Sequence, residues 1–268
     1  MRILIISDIH ANPWALAAVE QDAGQFDHVI CAGDTVNYGP APGIVVAWLR
    51  DHRAIAVRGN HDHAVAFHAD PKASPAKQPL ALAMRDWTRA RLDPDDLAWL
   101  ARLPLSLRWE IGGVYFAVTH ATPIDPLYDY RLTPRGCDAI LDDVAGKVQA
   151  DVLVVGHTHF PLIRRHGSLQ IVNPGSLGQP LDGEVRAPYV LWEDGVINAQ
   201  RVQYDSQPTL GALRQLAVDA AVRDDLVAML QQASISPTSM TGTEEVPVSD
   251  SILEVRKQQG VRHEPQDQ

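Results

Sequence analysis

The residues Arg2-Ile3-Leu4-Ile5-Ile6-Ser7 form an apolar run that stops abruptly at Asp8-Ile9-His10. A short apolar run closed by a turn signal reads as a buried strand of a parallel sheet, and that reading limits the fold more than any other stretch. Side chains alternate along a strand, so Asp8 and His10 leave the sheet on the same side. A hard carboxylate beside an imidazole suits a divalent metal. Taken alone, the pair reads equally well as a turn aspartate next to a surface histidine.

The chain then repeats the theme. Asn12-Pro13 is an N-cap followed by proline at the first helical position, opening a helix to about residue 21. Residues 28–31 read as a second buried strand, ending in Gly33-Asp34-Thr35-Val36-Asn37-Tyr38-Gly39. A helix over 42–49 leads to a third strand over 54–57, which runs into Arg58-Gly59-Asn60-His61-Asp62. Strand, helix, strand, helix, strand is the signature of right-handed parallel crossovers, whose sites form at the carboxyl ends of the strands.

From about 63 to 104 the composition shifts. Residues 68–79 are rich in Pro, Ala, Ser and Lys and read as a loop. Helical patterns follow over 80–91 and from Asp93-Pro94, with Leu97, Leu100 and Leu103 three apart. This insert is expected to pack beside the site as a helical cap. Residues 106–111 and 114–119 flank Gly112-Gly113 and read as a hairpin whose second strand ends at His120. A loop over 121–132 carries Asp125, Tyr128, Tyr130 and Arg131, and Thr133-Pro134 caps an expected helix to about 147. A strand over 152–155 ends in Gly156-His157-Thr158-His159. Short strands are expected at 162–165, 169–172, 189–192 and 196–202, with the tight Asn173-Pro174-Gly175-Ser176 loop among them. Residues 206–233 read as helical with a break near Asp219, and 234–268 as a polar, largely disordered tail. The expected architecture is α/β, with two mixed sheets packed as a sandwich, helices outside, and a helical cap insert. The tryptophans at 87, 99, 109 and 192 are expected in core or cap packing.

Composition removes some functions. The 268 residues carry 23 Lys plus Arg against 33 Asp plus Glu, a net charge of −10. That disfavours binding of long nucleic acid, which relies on clustered cations, but leaves a small phosphorylated substrate open. The two cysteines, Cys31 and Cys137, form no paired motif, so a reducing compartment fits. The opening apolar run is too short for a signal segment, and no stretch reaches the ~18 apolar residues of a membrane span. A cytoplasmic location without membrane attachment is expected, and a homo-oligomer stays open.

Five expected strand ends thus carry Asp8/His10, Asp34, Asn60/His61, His120 and His157/His159. Accident does not explain so many polar clusters at carboxyl ends. In order and spacing, Asp8-Ile9-His10, Gly33-Asp34 with Gly39, Gly59-Asn60-His61-Asp62, His120 and Gly156-His157-Thr158-His159 resemble the motif set of the calcineurin-like metallophosphoesterases. The resemblance spans about residues 1–205, and the Asn173–Ser176 loop, the small size and the helical insert are similar to the YfcE-like bacterial phosphodiesterase subgroup. It implies a four-layer α/β/β/α sandwich with two metal ions. Asp8, His10, Asp34 and His159 would hold the first, and Asp34, Asn60, His120 and His157 the second, with Asp34 bridging. Mixed oxygen and nitrogen donors suit manganese or iron, with zinc, cobalt or nickel as alternatives. His61 matches the family's acid, beside the second metal, and Asp62 reads as a turn cap before it reads as a partner of His61. Asn37, Tyr38, Arg58, Tyr128 and Arg131 are candidate substrate contacts. The implied reaction is hydrolysis of a small phosphodiester by in-line attack of a metal-bridging hydroxide, with monoesters as further substrates. Other members of the superfamily hydrolyse dinucleoside polyphosphates or phosphoproteins, and some keep the fold only as a protein-binding scaffold.

Overall fold

The computed structural model describes residues 1–235; most of the tail expected at 234–268 lies outside them. The first sheet contains β1 (Arg2–Ile6), β2 (His28–Cys31) and β3 (Ile55–Ala56), paired in parallel. Two helices connect them, α1 (Pro13–Ala23) and α2 (Pro42–Asp51). Asn12 caps α1 by accepting from the Ala15 N–H at 3.2 Å, with Pro13 at the first position. A short helix α3 (Asn60–Phe67) follows β3, and α4 (Gln78–Arg89) and α5 (Pro94–Arg102) complete the insert. Asp93 caps α5 through the Asp96 N–H, as its sequence predicts.

The second sheet is built from β4 (Ser106–Ile111), β5 (Val114–Thr119), β6 (Val152–Val154), β7 (Leu162–His166) and β8 (Leu169–Asn173). Its order is β4-β5-β6-β8-β7, with β5, β6 and β8 parallel. The hairpin of β9 (Ala187–Glu193) and β10 (Val196–Val202) does not extend this sheet. It returns to the first one, where β9 pairs antiparallel with β1, giving the order β10-β9-β1-β2-β3.

Strand alternation sorts the core into layers. Ile3, Ile5, Ile30 and Val190 from the first sheet meet Phe116, Val118, Val152 and Val172 from the second, and Phe116 packs edge-on against Trp192 at 5.4 Å. The opposite face of the first sheet, through Leu4, Ile6 and Val29, packs on Leu16, Val19, Val46 and Leu49 of α1 and α2. Behind the second sheet, Leu153 and Ile171 pack on Val144 of α6 (Leu141–Ala145). Helices, sheet, sheet and helix make the expected four layers. Two last helices, α7 (Gln207–Arg214) and α8 (Ala220–Gln232), meet α4 and Tyr38 in a separate apolar cluster.

Three local expectations are corrected. Thr133-Pro134 opens no long helix: the Thr133 hydroxyl accepts from the Gly136 N–H at 3.1 Å and closes a turn. A single 3-10 turn (Cys137–Ala139) and the short α6 follow. Helix α3 begins at Asn60, inside what reads as a strand-end loop. Trp109 is 54% exposed, because it lies on the edge strand β4 and points away from the core. Among the described residues no helix is long and apolar enough to cross a membrane.

Candidate metal centre

The carboxyl ends of β1, β2, β3, β5 and β6 open at one edge of the sandwich, and the polar residues there are buried. Asp8, His10, Asp34, Asn60, His61, His120, His157 and His159 are each no more than 4% exposed. The backbone turns sharply to bring them together. Asp8, His10, Ala11, Asp34, Asn37, Tyr38, His157 and His159 all take positive φ, between 46° and 75°. A non-glycine residue there is strained and persists only where its surroundings over-determine it. Two glycines of the motifs have a steric reason: a Cβ on Gly59 would lie 2.7 Å from the Asp34 carboxyl carbon, and one on Gly156 would lie 2.6 Å from Asp8 Oδ2.

Three imidazoles are fixed by backbone carbonyls. His10 Nδ1 lies 3.2 Å from the Val36 carbonyl, His120 Nδ1 2.7 Å from that of Ala32, and His159 Nδ1 2.7 Å from that of Gln179. A carbonyl only accepts, so each Nδ1 carries the hydrogen and each Nε2 presents a lone pair in the neutral ring. Asn60 is oriented the same way. Its amide Nδ2 donates to the Pro71 carbonyl at 2.7 Å, which leaves Oδ1 facing inward.

These fixed acceptors face one another. His10 Nε2 lies 3.2 Å from His159 Nε2, and Asn60 Oδ1 lies 3.0 Å from His120 Nε2 and 3.2 Å from His157 Nδ1. Asp34 Oδ2 sits 3.2 Å from His120 Nε2 and 3.9 Å from His10 Nε2, between the two groups of imidazoles. Asp8 Oδ1 is 3.5 Å from His159 Nε2 and 4.0 Å from His10 Nε2. Asp8, His10 and His159 are close enough to share one cation, as are Asp8, Asp34 and His120. His157 Nε2 is buried with no hydrogen-bond partner among the described residues. Lone pairs aimed at lone pairs are unfavourable unless positive charge lies between them. The oxygen and nitrogen donor set, without thiolate, fits a hard or borderline divalent ion.

The proton equilibria express the same demand. Burial pushes His10 down to about 4 and His61 down to about 3, and depresses His157 and His159 well below the usual imidazole value. These rings are neutral, as ligands must be. Burial also opposes charge on His120, but the adjacent Asp34 overcomes it and holds His120 at about 9. Asp34 is held well below the usual carboxylate range: burial works against its charge, and the charged His120, through its charge and its hydrogen bond, outweighs it. Burial lifts Asp8 to about 7. Without a metal, a proton on His120 takes part of the cation's place.

Asp34 Oδ1 accepts from the His61 N–H at 2.9 Å and so fixes the first turn of α3. Asn37 Nδ2 lies 2.7 Å from His61 Nδ1 and 3.2 Å from the Ala81 carbonyl. The carbonyl fixes the amide with its NH₂ toward both groups, so His61 Nδ1 accepts and Nε2 carries the hydrogen. Asp62 plays the capping part: its two oxygens accept from the N–H groups of Val36 and Gly59, both at 3.1 Å.

The substrate candidates separate. Tyr38 packs 4.6 Å from His61 and 5.0 Å from His10, between ring centres, and Asn37 holds His61. Arg58 instead donates to the Ala101 carbonyl at 2.6 Å and covers the Phe67 ring. Arg131 pairs with Asp129 at 2.8 Å with half its side chain exposed. Both guanidinium groups are bound away from the cluster, because nearer acceptors claim them. Tyr128 lies under the Lys72 ammonium at 4.3 Å. Its neighbour Tyr130 is the residue of that loop that reaches the site, stacking on His157 at 3.9 Å. The sequence gives no signal for Lys77, which is buried beside the cluster.

A cation is the simplest answer to so many facing acceptors, and an α/β/β/α sandwich built to hold one is the frame of the metal-dependent phosphoester hydrolases. Residues 1–193 match the calcineurin-like phosphoesterase superfamily domain, and the chain belongs to that superfamily. An uncharacterised protein of Methanocaldococcus jannaschii is 32% identical over 223 residues, covering 76% of this chain and 88% of that protein. The phosphodiesterase YfcE of Escherichia coli K12 is 25% identical over 215 residues, covering 74% of this chain and 90% of YfcE. The crystal structure of a metallophosphoesterase from Sphaerobacter thermophilus matches with a TM-score of 0.71 at 32% identity, over 87% of this chain and 100% of that one.

Proposed function

We propose that the protein is a two-metal phosphodiesterase acting on small phosphodiesters, with phosphomonoesters as secondary substrates. The observation that carries this reading is the set of carbonyl-fixed imidazoles and the Asn60 amide, all presenting acceptors to the same space. In this reading Asp8, His10, Asp34 and His159 hold one ion, and Asp34, Asn60, His120 and His157 hold the other. The nearness of Asp34 Oδ2 to both His120 Nε2 and His10 Nε2 supports Asp34 as the ligand that would be shared. When bound, the two ions supply an acidified water and positive charge for the phosphoryl oxygens. Manganese or iron suits the donor set best.

The chain's own residues do the rest. His61 keeps its hydrogen on Nε2, because Asn37 holds Nδ1 as an acceptor, and it donates that hydrogen bond to the leaving oxygen as negative charge grows there. Tyr38 packs against His61 and fixes the ring plane. The near-complete burial of the cluster keeps competing water away. The likeness to YfcE, a phosphodiesterase by name, supports the choice of diester. A protein-binding scaffold has no use for a complete ligand set with His61 beside it. The test is direct: metal-stripped protein reloaded with Mn²⁺ hydrolyses bis-p-nitrophenyl phosphate faster than p-nitrophenyl phosphate. Failure to turn over either compound with any divalent ion would sink the proposal.

A further inference from the structure

The stretch that joins α3 to α4, with the first turn of α4, runs past the carboxylate–imidazole cluster, and three ties hold it there. The Asn60 amide donates to the Pro71 carbonyl at 2.7 Å, the Lys72 ammonium lies 4.3 Å from the centre of the Tyr128 ring, and the Asn37 amide donates to the Ala81 carbonyl at 3.2 Å. Lys77 lies between these ties and is only 7% exposed. The Ala81 N–H donates to the Lys77 carbonyl at 2.8 Å, so the two residues are one helical turn apart on one face. That face is the one Asn37 fastens to the site. The Lys77 ammonium lies 5.9 Å from the centre of the Tyr38 ring, which itself packs on His61 and His10.

Among the described residues no ion pair of the site includes Lys77. Burial lowers its pKa to about 8, against the pull of the Asp8 and Asp34 carboxylates, so it is mostly protonated at neutral pH. A buried ammonium without a paired carboxylate is costly, and such a charge persists where a ligand brings the counter-charge. Metal ions on Asp8 and Asp34 would neutralise the carboxylates that raise its pKa, leaving Lys77 as surplus positive charge beside the site. An ammonium donates in three directions and tolerates many orientations of a tetrahedral oxyanion.

We propose that Lys77 is a substrate-binding residue whose ammonium takes a non-bridging oxygen of the bound phosphoryl group. The inference rests on the phosphoesterase reading and gives the cap insert a part in it: the insert brings a third positive charge to the phosphate. A doubly charged monoester depends on that charge more than a singly charged diester does, because each added charge strengthens the attraction.

The test is calorimetric titration of the manganese-loaded protein with inorganic phosphate, comparing wild type, Lys77→Met, Lys77→Gln and Lys77→Arg, with metal content and melting temperature measured on each. Lys77→Met should retain its metal and bind phosphate about tenfold or more weakly, the loss expected for one charge-assisted hydrogen bond. Its KM for p-nitrophenyl phosphate should rise more than its KM for the diester, and Lys77→Arg should recover part of the affinity. Lys77→Gln keeps the stem and a donor, and supplies the comparison if the methionine variant does not fold. Unchanged phosphate affinity with full metal content overturns the proposal, as does loss of metal together with phosphate, or the absence of phosphate binding by the loaded wild type. If wild type turns over no phosphoester, the catalytic reading fails, and the phosphate titrations still decide the role of Lys77.

Discussion

The two sheets supply the cluster unequally. The first contributes both carboxylates, Asp8 and Asp34, along with His10, Asn60 and His61. The second contributes imidazoles alone, His120, His157 and His159. Charge for a cation therefore comes from one side of the sandwich and neutral donors from the other. Burial raises the pKa of Asp8, the neighbouring Asp34 charge adds to it, and the charge on His120 opposes both across the sheet boundary. The division teaches that the first sheet sets how strongly the site demands a cation, while the second sets where the cation sits.

Substitutions on the two sides should then differ in kind. Asp34→Asn removes the carboxylate between the two groups of imidazoles. It should abolish stable metal loading and reduce turnover of bis-p-nitrophenyl phosphate by about a thousandfold or more, since in the proposed two-ion arrangement it would remove charge from both ions at once. Elemental analysis beside kinetics checks it, and a variant that keeps two metals breaks the comparison. His61→Ala lies in α3, which follows the same sheet, and is proposed to have no ligand role: metal content should hold while kcat falls by about a hundredfold. Unchanged turnover would refute its part in leaving-group departure.

On the second sheet, His157→Ala should weaken metal binding by roughly ten- to a hundredfold without abolishing it, because a neutral donor is lost and the carboxylates stay. Titration with excess Mn²⁺ should restore most of the activity, which no excess restores in Asp34→Asn. The smallest effect concerns the loop that brings Tyr130 to His157. Bonds from the Arg131 side chain, with further help from its N–H and from Thr122, hold Asp129 down at about 2. A carboxylate depressed in the folded state stabilises it above its unfolded pKa of about 4, and that contribution fades as pH falls toward 2. Water screens this partly exposed pair, so wild type should lose about 1 kcal/mol or less over this window relative to Asp129→Asn, seen as converging melting temperatures. Parallel melting curves across that range would remove the loop from the account.

The strand ends were legible because a parallel strand must stop before a ligand can turn out of the sheet, so Asp8, Asp34, His120 and His157 each follow an apolar run. Sheet membership was less so. The β9–β10 hairpin lies far along the chain yet pairs with β1, and nothing local in 187–202 distinguishes that edge from the neighbouring sheet. Helix α3 is not legible in the sequence because Asn60, His61 and Asp62 are buried at the site, so its buried side is polar and breaks the apolar periodicity that marks a helix. Thr133-Pro134 misled for the opposite reason: it carries a helix-start pattern that its own hydroxyl spends on a turn. A lysine in a Pro- and Ser-rich loop reads as solvated, and only the docking of α4 buries Lys77.

The strained turns at Asp8, His10, Asp34, His157 and His159 carry a consequence for how the protein handles its ions. Their left-handed backbone is imposed by packing and by bonds such as His10 N–H to the Asp34 carbonyl and Asp8 N–H to the Gly33 carbonyl. The bonds that shape the cradle run between protein groups, so the fold should outlast removal of an ion. Small metal-folded domains behave otherwise, collapsing when a chelator removes their ion. Here the ions should be exchangeable cargo in a standing frame, so the metal actually carried would follow local supply as much as donor preference.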